Sequence, residues 1–346
     1  MGYGTVGAGV YEAVVTNQKV IAAEIGEALE VKRILDLRKF PGDPAEQLIT
    51  DKFSDIENDA EISLVVETMG GTTPAYEFVK AALLKGKHVV TSNKALVAAH
   101  GTELLQIARD RKVNFFFEAA VGGGIPVIRT IGTGYQGQVI TEITGILNGT
   151  TNYILTRMDR EGAEFGDVLA DAQRLGYAER NPEADIEGHD TCRKIAILSS
   201  LVTGKEVNFE DVYTEGISKI DSTDFRYALE LKASIKLVGA AQFAGDQVTV
   251  SVFPLLVSDE NPLYAVQGVY NGIVIKGNLL GTTMLYGSGA GKLPTASAVL
   301  ADMMEAAKHK NENVRFGWTA EKQAVTSHES EKHRYFVRLS GDAASL

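Results

Sequence analysis

The chain has 346 residues, a length that suggests two domains rather than one. Its 34 basic and 45 acidic residues give a net charge of −11, which argues against a general nucleic-acid binder because phosphate contacts need a basic face. With 45% hydrophobic and 23% charged residues, it has the composition of a globular protein with sizeable cores. No run of the sequence approaches the roughly 20 apolar residues that a membrane helix needs.

The single cysteine, Cys192, can form neither an internal disulfide nor a thiolate metal cage. We therefore expect a reducing, cytoplasmic compartment. From Gly2 onward the N-terminus has neither the charged region nor the apolar core of a signal peptide, and it predicts folded structure there.

The first third of the chain alternates strand-like and helix-like segments. Strands are predicted over residues 31–37, 62–67, 88–91 and 113–117, and helices over residues 6–29, 74–85 and 103–111. The segment 62–67 (ISLVVE) is apolar on both faces, as a buried parallel strand is. This order predicts an α/β fold in which a Rossmann-type parallel sheet has helices on both faces.

The middle of the chain predicts a mixed α+β region. Strands are expected over residues 139–147, 247–256 and 269–276, the last two antiparallel, and helices over residues 165–175, 192–201 and 295–307. The helix 295–307 could pack back on the first domain. Residues 333–339 (HRYFVRL) alternate like a strand at the start of a further domain that is cut off.

These segments predict three domains. Residues 1–126 with 288–330 form the nucleotide-binding domain, residues 127–287 form a catalytic and dimerisation domain, and residues 331–346 begin a third domain.

A glycine-rich turn opens the chain. Gly2, Gly4 and Gly7 fit the G-x-G-x-x-G pattern and run directly into a helix, whose N-terminus can bind a pyrophosphate. Such a motif normally follows a strand, yet only Met1 precedes Gly2. We therefore expect a central strand of the sheet to be absent from this chain, with lower stability and cofactor affinity.

The residues at the end of the strand predicted over residues 31–37 bear on cofactor choice. Asp36 could bind a ribose hydroxyl of NAD(H), whereas Arg38, together with Lys39, could bind the 2′-phosphate of NADP(H). The sequence favours NADP(H), with NAD(H) left open. Solvated loop charges are the alternative interpretation of Arg38 and Lys39.

Lys94 follows a predicted parallel strand, at the sheet edge where ligands collect in open α/β folds. Ser92 or Asn93 could cap the next helix and hold Lys94 at the crevice, where it could bind a phosphate or carboxylate. A surface lysine without a function is the alternative.

The largest group of candidate catalytic residues lies within residues 172–194 (AQRLGYAERNPEADIEGHDTCRK). Asp190 and Lys194 are i and i+4 on an apolar helix and share one face. A partly desolvated lysine oriented by a carboxylate can accept and return the proton of an alcohol while hydride leaves or arrives. Glu179 and Asp185 could recognise the ammonium group of an amino-acid substrate. A surface ion pair is the alternative, against which the apolar helix argues.

Residues 172–194 resemble the signature of the homoserine dehydrogenase family, in which a glycine–aromatic–small segment, an Asn-Pro pair and Asp-Ile-x-Gly-x-Asp-x-x-x-Lys follow one another. The glycine-rich start, the turn 92–94 and the segments 118–126, 147–153 and 287–295 resemble the same family in the same order. The similarity covers nearly the whole chain and implies NAD(P)-dependent interconversion of L-homoserine and L-aspartate 4-semialdehyde, in threonine and methionine biosynthesis.

The resemblance also implies a role for each matching residue. Lys194 would be the proton donor and acceptor, while Asp190 would bind substrate and support Lys194. Glu179 would contact substrate and Asp185 would organise the site. Lys94 would lie between cofactor and substrate. Cofactor contacts would also come from Thr5, Val6 and Gly289.

Further properties follow from the same resemblance. It implies a structural monovalent cation, Na⁺, held by the segment containing Glu118, Val121, Gly123 and Ile125, mainly through backbone carbonyls. A tight glycine turn without an ion is the alternative. The resemblance also implies a homodimer or larger homo-oligomer. Residues 333–339 resemble the first strand of a regulatory ACT domain, so we expect threonine inhibition to be absent or impaired.

Two other functions are compatible with parts of the sequence. One is another Rossmann oxidoreductase with a lysine acid/base, acting on a sugar or a different semialdehyde. The other is a non-catalytic module that binds a cofactor. The combination of Glu179, Asp190, Lys94 and Lys194 argues against the second, because a binding module has no need of an acid/base lysine.

Overall fold

In the computed structural model of the chain, residues 1–328 and 334–339 are described. The longer helices among these residues are α1 (Thr5–Thr16), α2 (Gln18–Ile25), α3 (Ala75–Leu84), α4 (Lys94–Arg111), α5 (Gly149–Glu161), α6 (Phe165–Arg174), α7 (His189–Thr203), α8 (Ser222–Glu230) and α9 (Lys292–Lys308). Short helical turns lie at Ser54–Glu57, Val127–Arg129 and Glu183–Ile186.

The strands of the described residues are β1 (Ile34–Leu35), β2 (Ile49–Thr50), β3 (Leu64–Glu67), β4 (His88–Thr91), β5 (Phe115–Phe116), β6 (Ile140–Ile146), β7 (Lys205–Glu206), β8 (Tyr213–Thr214), β9 (Ala233–Ala244), β10 (Gln247–Ser258), β11 (Tyr270–Gly277), β12 (Gly281–Ser288) and β13 (Thr319–Lys322). Helices on these residues are all too short or too polar to cross a membrane.

The first part of the chain contains the predicted parallel sheet. β3, β4 and β5 pair in parallel in that order, and β1 pairs with β2 in parallel. Successive residues of β4 face opposite sides of the sheet. Val89 packs with residues of α3 and α4, whereas Val90 packs with residues of α1 and α9. Helices therefore cover both faces of this sheet, and α9 packs back on α1, as predicted.

Several predicted boundaries in this region are wrong. The single helix expected over 6–29 breaks at Asn17 into α1 and α2, and no proline or glycine marks that break. The strand expected over 31–37 is reduced to Ile34–Leu35. The helix expected over 103–111 begins at Lys94, where the Asn93 side chain caps it.

A slot separates β1 from β3. At one end of it, Met1 and Gly2 lie between the two strands: the Met1 ammonium donates to the Val66 carbonyl at 2.6 Å, and the Gly2 amide donates to the Leu35 carbonyl at 2.8 Å. The rest of the slot is a cavity of about 540 Å³. This cavity lies where the glycine motif predicts a preceding strand.

The middle of the chain contains a six-stranded mixed sheet, with strand order β12-β11-β6-β9-β10-β8. Its neighbours pair antiparallel, except β8 and β10, which are parallel. The predicted strands 247–256 and 269–276 correspond to β10 and β11, but β9 and β6 lie between them. Helices α5, α7 and α8 pack against β9. β9, β12, α5 and α8 were not predicted from the sequence.

The strand predicted over residues 333–339 is wrong for residues 334–339, the part that the structure describes. Residues 334–339 form no strand, and their side chains are exposed. The Arg338 guanidinium instead contacts Asp221 and, at 2.7 Å, Asp224, which form the capping box of α8. An alternating pattern forms a strand only when a neighbouring edge is available, and these residues lie against a helix. His333 and residues 340–346 lie outside the described residues.

Candidate active site

Three chain segments meet at the charged centre. β6 ends at Ile146 and leads through Leu147 and Asn148 into α5, while α7 begins at His189 and α4 begins at Lys94. The side chains that converge come from the first turn of α4, the first two turns of α7, the residue before α5 and the short helical turn Glu183–Ile186.

Asp190 and Lys194 form a buried ion pair on α7. The Lys194 Nζ lies 2.6 Å from Asp190 Oδ2 and donates a second hydrogen bond, also 2.6 Å long, to the Leu147 carbonyl. Asp190 is 2% exposed and Lys194 is 8% exposed. This burial excludes the alternative of a surface ion pair.

Lys94 approaches the same carboxylate from the other side. Its Nζ lies 2.8 Å from Asp190 Oδ1, and its side chain remains 42% exposed. Asn93 caps α4 by accepting a hydrogen bond from the Leu96 amide, and its own amide donates to the Gly71 carbonyl at 2.6 Å. The cap fixes the start of α4, so Lys94 sits at the open side of the charged centre.

Asn148 links Asp185 and Asp190, a contact that was not predicted from the sequence. Its Nδ2 donates to Asp185 Oδ1 at 2.7 Å and to Asp190 Oδ2 at 2.9 Å. Its Oδ1 accepts from the Thr151 amide at 2.9 Å and so caps α5. An asparagine just before a predicted helix indicates a cap, but only the fold shows that its amide also reaches residues about forty positions away.

The charges of the centre influence one another. Burial by itself raises the pKa of Asp190, but the positive charges of Lys194 and Lys94 outweigh it and hold that pKa well below its usual range. Burial, followed by the charge of Asp190, raises the pKa of Asp185. Burial lowers the pKa of Lys194, which Asp190 partly restores. The charge of Asp190 raises the pKa of Lys94.

Lys194 is therefore the group best suited to proton transfer. Its lowered pKa brings it closer to the range in which a lysine can both give up and recover a proton near neutral pH. Lys94, whose pKa is raised, stays charged. Thus one lysine can exchange a proton and the other can hold an anionic group.

Glu179 is not brought into this centre. Among the described residues, no hydrogen bond or ion pair joins its carboxylate to Asp185, Asp190 or Lys194, and its backbone carbonyl accepts from Gln173 at 3.0 Å. Its side chain is exposed on the segment before Asp185. The role predicted for Glu179 therefore stays a prediction.

The glycine turn has the close approach that its motif predicts. A Cβ at Gly7 would lie 2.0 Å from the Gly2 carbonyl oxygen, so only glycine fits there. Thr5, Val6 and Gly7 form the first turn of α1, whose early amides have no partner within the helix. This turn can therefore hold a phosphate group.

Asp36 and Arg38 lie beside the glycine turn. The Asp36 carboxylate accepts from the Tyr3 amide at 2.7 Å and from both Nε and Nη2 of Arg38, at 2.9 and 2.8 Å. The hydrogen bonds from Arg38 hold the pKa of Asp36 well below its usual range. The Arg38 side chain is 62% exposed, and its guanidinium is therefore accessible from solution.

The predicted cation segment packs against the loop that contains Gly289. A Cβ at Gly123 would lie 2.5 Å from the Gly289 carbonyl, and a Cβ at Gly289 would lie 2.1 Å from the Asn271 side chain. The Glu118 carboxylate is occupied by the amides of Ile128, at 2.8 Å, and Arg129, at 2.7 Å. Among the described residues, no cluster of three or more His, Cys, Asp or Glu could hold a metal ion.

A lysine that can exchange a proton lies at the same edge of the fold as a turn that can hold a dinucleotide, and an alcohol dehydrogenation needs both. The fold and the site thus define an NAD(P)-dependent oxidoreductase that acts on a CH–OH group.

Comparison with known proteins narrows the class of enzyme to one family. The model of the homoserine dehydrogenase NAD-binding domain matches residues 2–118, and the homoserine dehydrogenase model matches residues 126–304. The chain belongs to the homoserine dehydrogenase family.

Individual relatives agree with the family models. The chain is 44% identical over 305 residues to a homoserine dehydrogenase of Pseudomonas aeruginosa, covering 88% of this chain and 70% of the relative. It is 45% identical over 312 residues to one from Synechocystis, covering 88% and 71%. The crystal structure of a homoserine dehydrogenase from Thiobacillus denitrificans is similar with a TM-score of 0.85 at 43% identity, covering 89% of this chain and 72% of that one.

A more distant solved structure carries information on the cofactor. It is a hyperthermophilic archaeal homoserine dehydrogenase in complex with NADPH, similar to this chain with a TM-score of 0.74 at 28% identity. The similarity covers 88% of this chain and 95% of that chain.

Proposed function

We propose that this chain interconverts L-aspartate 4-semialdehyde and L-homoserine with Lys194 as the acid/base group. The observation that carries this proposal is the buried Asp190–Lys194 pair, with its 2.6 Å contact, at the ligand-binding edge of a homoserine dehydrogenase fold. A nicotinamide cofactor, when bound, supplies or accepts the hydride at the substrate C4. Proton transfer and substrate binding are carried out by groups of the protein.

Lys194 holds the proton that the reaction moves. During reduction, its ammonium donates a proton to the aldehyde oxygen as C4 becomes an alcohol carbon, and during oxidation the neutral amine takes that proton back. The Leu147 carbonyl and Asp190 fix the Nζ from two sides, at 2.6 Å each. Because these acceptors are buried, they restrict the direction in which the Nζ can donate.

Substrate binding uses the remaining charges. Lys94 is exposed enough to contact the substrate or the cofactor, and Asp190 anchors it at 2.8 Å. Asp185, which Asn148 holds 2.7 Å from its amide, and Glu179 are proposed to recognise the substrate ammonium group. Glu179 lies outside the charged centre, so its contact would require the segment 176–183 to approach the bound substrate.

NADP(H) is the proposed cofactor, with NAD(H) the less favoured one. The glycine turn of Gly2, Gly4 and Gly7 fits a pyrophosphate, and Thr5 and Val6 lie along it. Arg38 neutralises Asp36 and is exposed, an arrangement that suits a 2′-phosphate better than a free ribose hydroxyl. The NADPH bound to the archaeal relative supports this choice.

Arg38→Ala is expected to raise the KM for NADPH by about 10- to 100-fold, because a hydrogen-bonded charge pair with phosphate contributes roughly 1.5–3 kcal/mol. The KM for NADH should stay constant or fall, since Asp36 is then free to bind the ribose. Steady-state kinetics with both cofactors measure this. Arg33→Ala, at another exposed arginine, is the control and should change neither constant. An equal loss with NADH and NADPH would contradict the phosphate assignment.

A structural monovalent cation, Na⁺, is proposed in the segment 118–125. The Glu118 carboxylate is engaged by two backbone amides, so the oxygen ligands would be backbone carbonyls of Glu118, Val121, Gly123 and Ile125. Carbonyl oxygens suit a hard cation. Such an ion would tie this segment to the loop of Gly289 and take no part in proton transfer.

The assembly and the compartment are also proposed. A homodimer or larger homo-oligomer would form through the sheet of the middle region, and the single buried Cys192 agrees with a reducing, cytoplasmic environment. The partner of the active site is a small molecule, with no role for nucleic acid or membrane.

Asn148 is a positioning residue for this reaction. Asn148→Ser keeps an oxygen that can cap α5 but removes the amide that joins Asp185 to Asp190. We expect kcat/KM for the semialdehyde to fall by about 10- to 100-fold, since a hydrogen bond to a charged group contributes roughly 1.5–3 kcal/mol. The pH profile of kcat should also move to lower pH, because the Asn148 amide holds the Asp190 carboxylate whose charge raises the pKa of Lys194.

The control for Asn148→Ser is Asn261→Ser, since Asn261 also caps a helical turn through its side chain but lies away from the charged centre. It should leave kcat/KM and the pH profile unchanged. If Asn148→Ser lowers the melting temperature and leaves kcat/KM and the pH profile intact, the residue is only a helix cap.

Substrate profiling tests the proposed function. The chain is assayed for NADP⁺ reduction with L-homoserine, L-serine, L-threonine and a polyol, each at the same concentration. The proposal expects a kcat/KM for L-homoserine at least about 100-fold above the others, because Asp185 and Glu179 must match both the ammonium group and the chain length. A higher value with the polyol would support the sugar-type oxidoreductase instead.

A further inference from the structure

Asn271, near the start of β11, is a buried polar residue without a partner. It is 0% exposed, and among the described residues neither its amide nitrogen nor its amide oxygen has a hydrogen-bond partner. Burying an amide without hydrogen bonds costs free energy, and folded proteins rarely leave such a group unpaired. The unpaired amide therefore indicates a binding partner that the described chain does not itself supply.

Asn271 lies on the side of the sheet that faces the charged centre. β11 pairs antiparallel with β6 in a register that places Asn271 beside Leu147, the first residue after β6. The side chain of Ile273, which alternation puts on the same face as that of Asn271, packs in the core that contains Leu147. Since the Leu147 carbonyl accepts a hydrogen bond from Lys194, the Asn271 amide lies next to the turn that holds this lysine.

Gly289 covers one face of the Asn271 amide. A Cβ at Gly289 would lie 2.1 Å from both Cγ and Nδ2 of Asn271 and 2.4 Å from Oδ1. These similar distances place Gly289 over the flat face of the amide, so the edge that carries the donor and the acceptor is left unused. Gly289 is itself only half-buried, and any side chain at this position would displace Asn271.

The segment that contains Gly289 also lies close to the proposed cofactor site. Residues 287–291 (GSGAG) lead directly into α9, and a Cβ at Gly9 of α1 would lie 2.7 Å from the Lys292 carbonyl oxygen. The start of α9 therefore packs on α1, whose first turn can hold a pyrophosphate. Hydride transfer needs the nicotinamide ring beside the substrate carbon, so the ring must reach the charged centre, next to which Asn271 lies.

We propose that the Asn271 amide binds the carboxamide group of the nicotinamide ring, and that Gly289 shifts off the amide when the cofactor enters. A carboxamide offers a carbonyl acceptor and an N–H donor side by side, so two carboxamides can form two parallel N–H···O hydrogen bonds. These bonds fix the rotation of the ring and hence the face that it turns toward the substrate. This role of Asn271 depends on the proposed binding of the phosphates at the glycine turn, and it applies to NADP(H) and NAD(H) alike, because both carry the same ring.

Calorimetric titration with three ligands tests this assignment. NADP⁺ carries the carboxamide, its 3-acetylpyridine analogue keeps the carbonyl but has a methyl group in place of the NH₂, and 2′-phospho-ADP-ribose lacks the ring. The unmodified chain should bind NADP⁺ about 10-fold more tightly than the analogue, because the analogue leaves the Asn271 oxygen unpaired.

Asn271→Leu keeps a similar volume without polar atoms. It should bind NADP⁺ about 10- to 100-fold more weakly than the unmodified chain does, with no preference for NADP⁺ over the analogue. Its affinity for 2′-phospho-ADP-ribose should equal that of the unmodified chain. Asn271→Ala gives the same comparison without the bulk of leucine beneath Gly289.

The stability of the chain without cofactor separates binding from folding. Asn271→Leu removes an unpaired buried amide, so its melting temperature should stay the same or rise. The matched control is Asn152→Leu, since Asn152 is 1% exposed but its amide donates to the Tyr270 carbonyl at 3.0 Å. This variant should have a lower melting temperature and keep the preference for NADP⁺ over the analogue.

Two results would contradict different parts of this assignment. If Asn271→Leu and Asn271→Ala keep the preference for NADP⁺ over the acetylpyridine analogue, the amide does not bind the ring and an ordered water is its partner. If 2′-phospho-ADP-ribose fails to bind the unmodified chain, the proposed phosphate site at the glycine turn is wrong. The two failures can be told apart, because only the second involves a ligand without the ring.

Discussion

Lys194→Ala is expected to lower kcat for L-aspartate 4-semialdehyde reduction by about 100- to 10,000-fold, the range that a positioned acid/base group contributes. The Nζ donates to Asp190 and to Leu147, both at 2.6 Å, and alanine removes the group that transfers the proton. The dissociation constant for NADPH should change little, because its proposed phosphate contacts come from the start of α1 and from Arg38. Steady-state kinetics combined with fluorescence titration of NADPH measure both quantities.

The control for this substitution is Lys236→Ala. Lys236 is also a buried lysine; it donates to the Val266 carbonyl at 2.7 Å, outside the charged centre, and burial lowers its pKa to about 8. Its removal should reduce stability and leave kcat within a few-fold at a temperature where the chain is folded. Equal losses of kcat from both substitutions would mean that burial of a lysine, rather than its chemistry, explains the effect.

Asp190→Asn is expected to lower kcat/KM by about 1,000-fold and to move the pH dependence. Burial lowers the pKa of Lys194, and the Asp190 charge counteracts it. Without that charge the pKa of Lys194 falls further, so the lysine loses its proton at lower pH. Reduction needs protonated Lys194, and its kcat should therefore begin to decline at a lower pH than in the unmodified chain. Oxidation needs neutral Lys194, and its kcat should reach its plateau at lower pH.

Measuring the pH dependence of both reduction and oxidation identifies the group that titrates. A profile that shifts to lower pH in both directions assigns the titrating group to Lys194. Lys94→Met removes the other lysine beside Asp190, whose Nζ lies 2.8 Å from Oδ1. It should weaken binding without shifting the profile toward lower pH, because it removes a positive charge that lowers the pKa of Lys194. An unchanged profile in Asp190→Asn would show that another group transfers the proton.

The sequence predicted the parts of the site that depend on local spacing. Asp190 and Lys194 share a helix face because they are four residues apart, and the glycine turn follows from its own pattern. The cap at Asn93 is equally local, since the side chain reaches an amide three residues ahead. The parallel order of the first strands was also predictable, because buried parallel strands are apolar on both faces.

The remainder depends on contacts between distant segments. Asn148 reaches Asp185 and Asp190 only after β6 and α7 pack, and no short-range pattern encodes that meeting. β9 was not predicted, because its sequence lacks the alternation of a half-exposed strand. The strand is buried on much of both faces and contains the buried Lys236. Residues 334–339 show the opposite case, since their alternation is clear but they lie against α8.

The most direct test of the proposed function is the rate of NADPH oxidation with L-aspartate 4-semialdehyde, measured for the unmodified chain and for Lys194→Ala. Binding of NADPH is measured on the same samples. We expect turnover by the unmodified chain and its loss in Lys194→Ala, which still binds NADPH. If both chains bind NADPH and neither of them oxidises it in the presence of the semialdehyde, the assigned substrate is wrong.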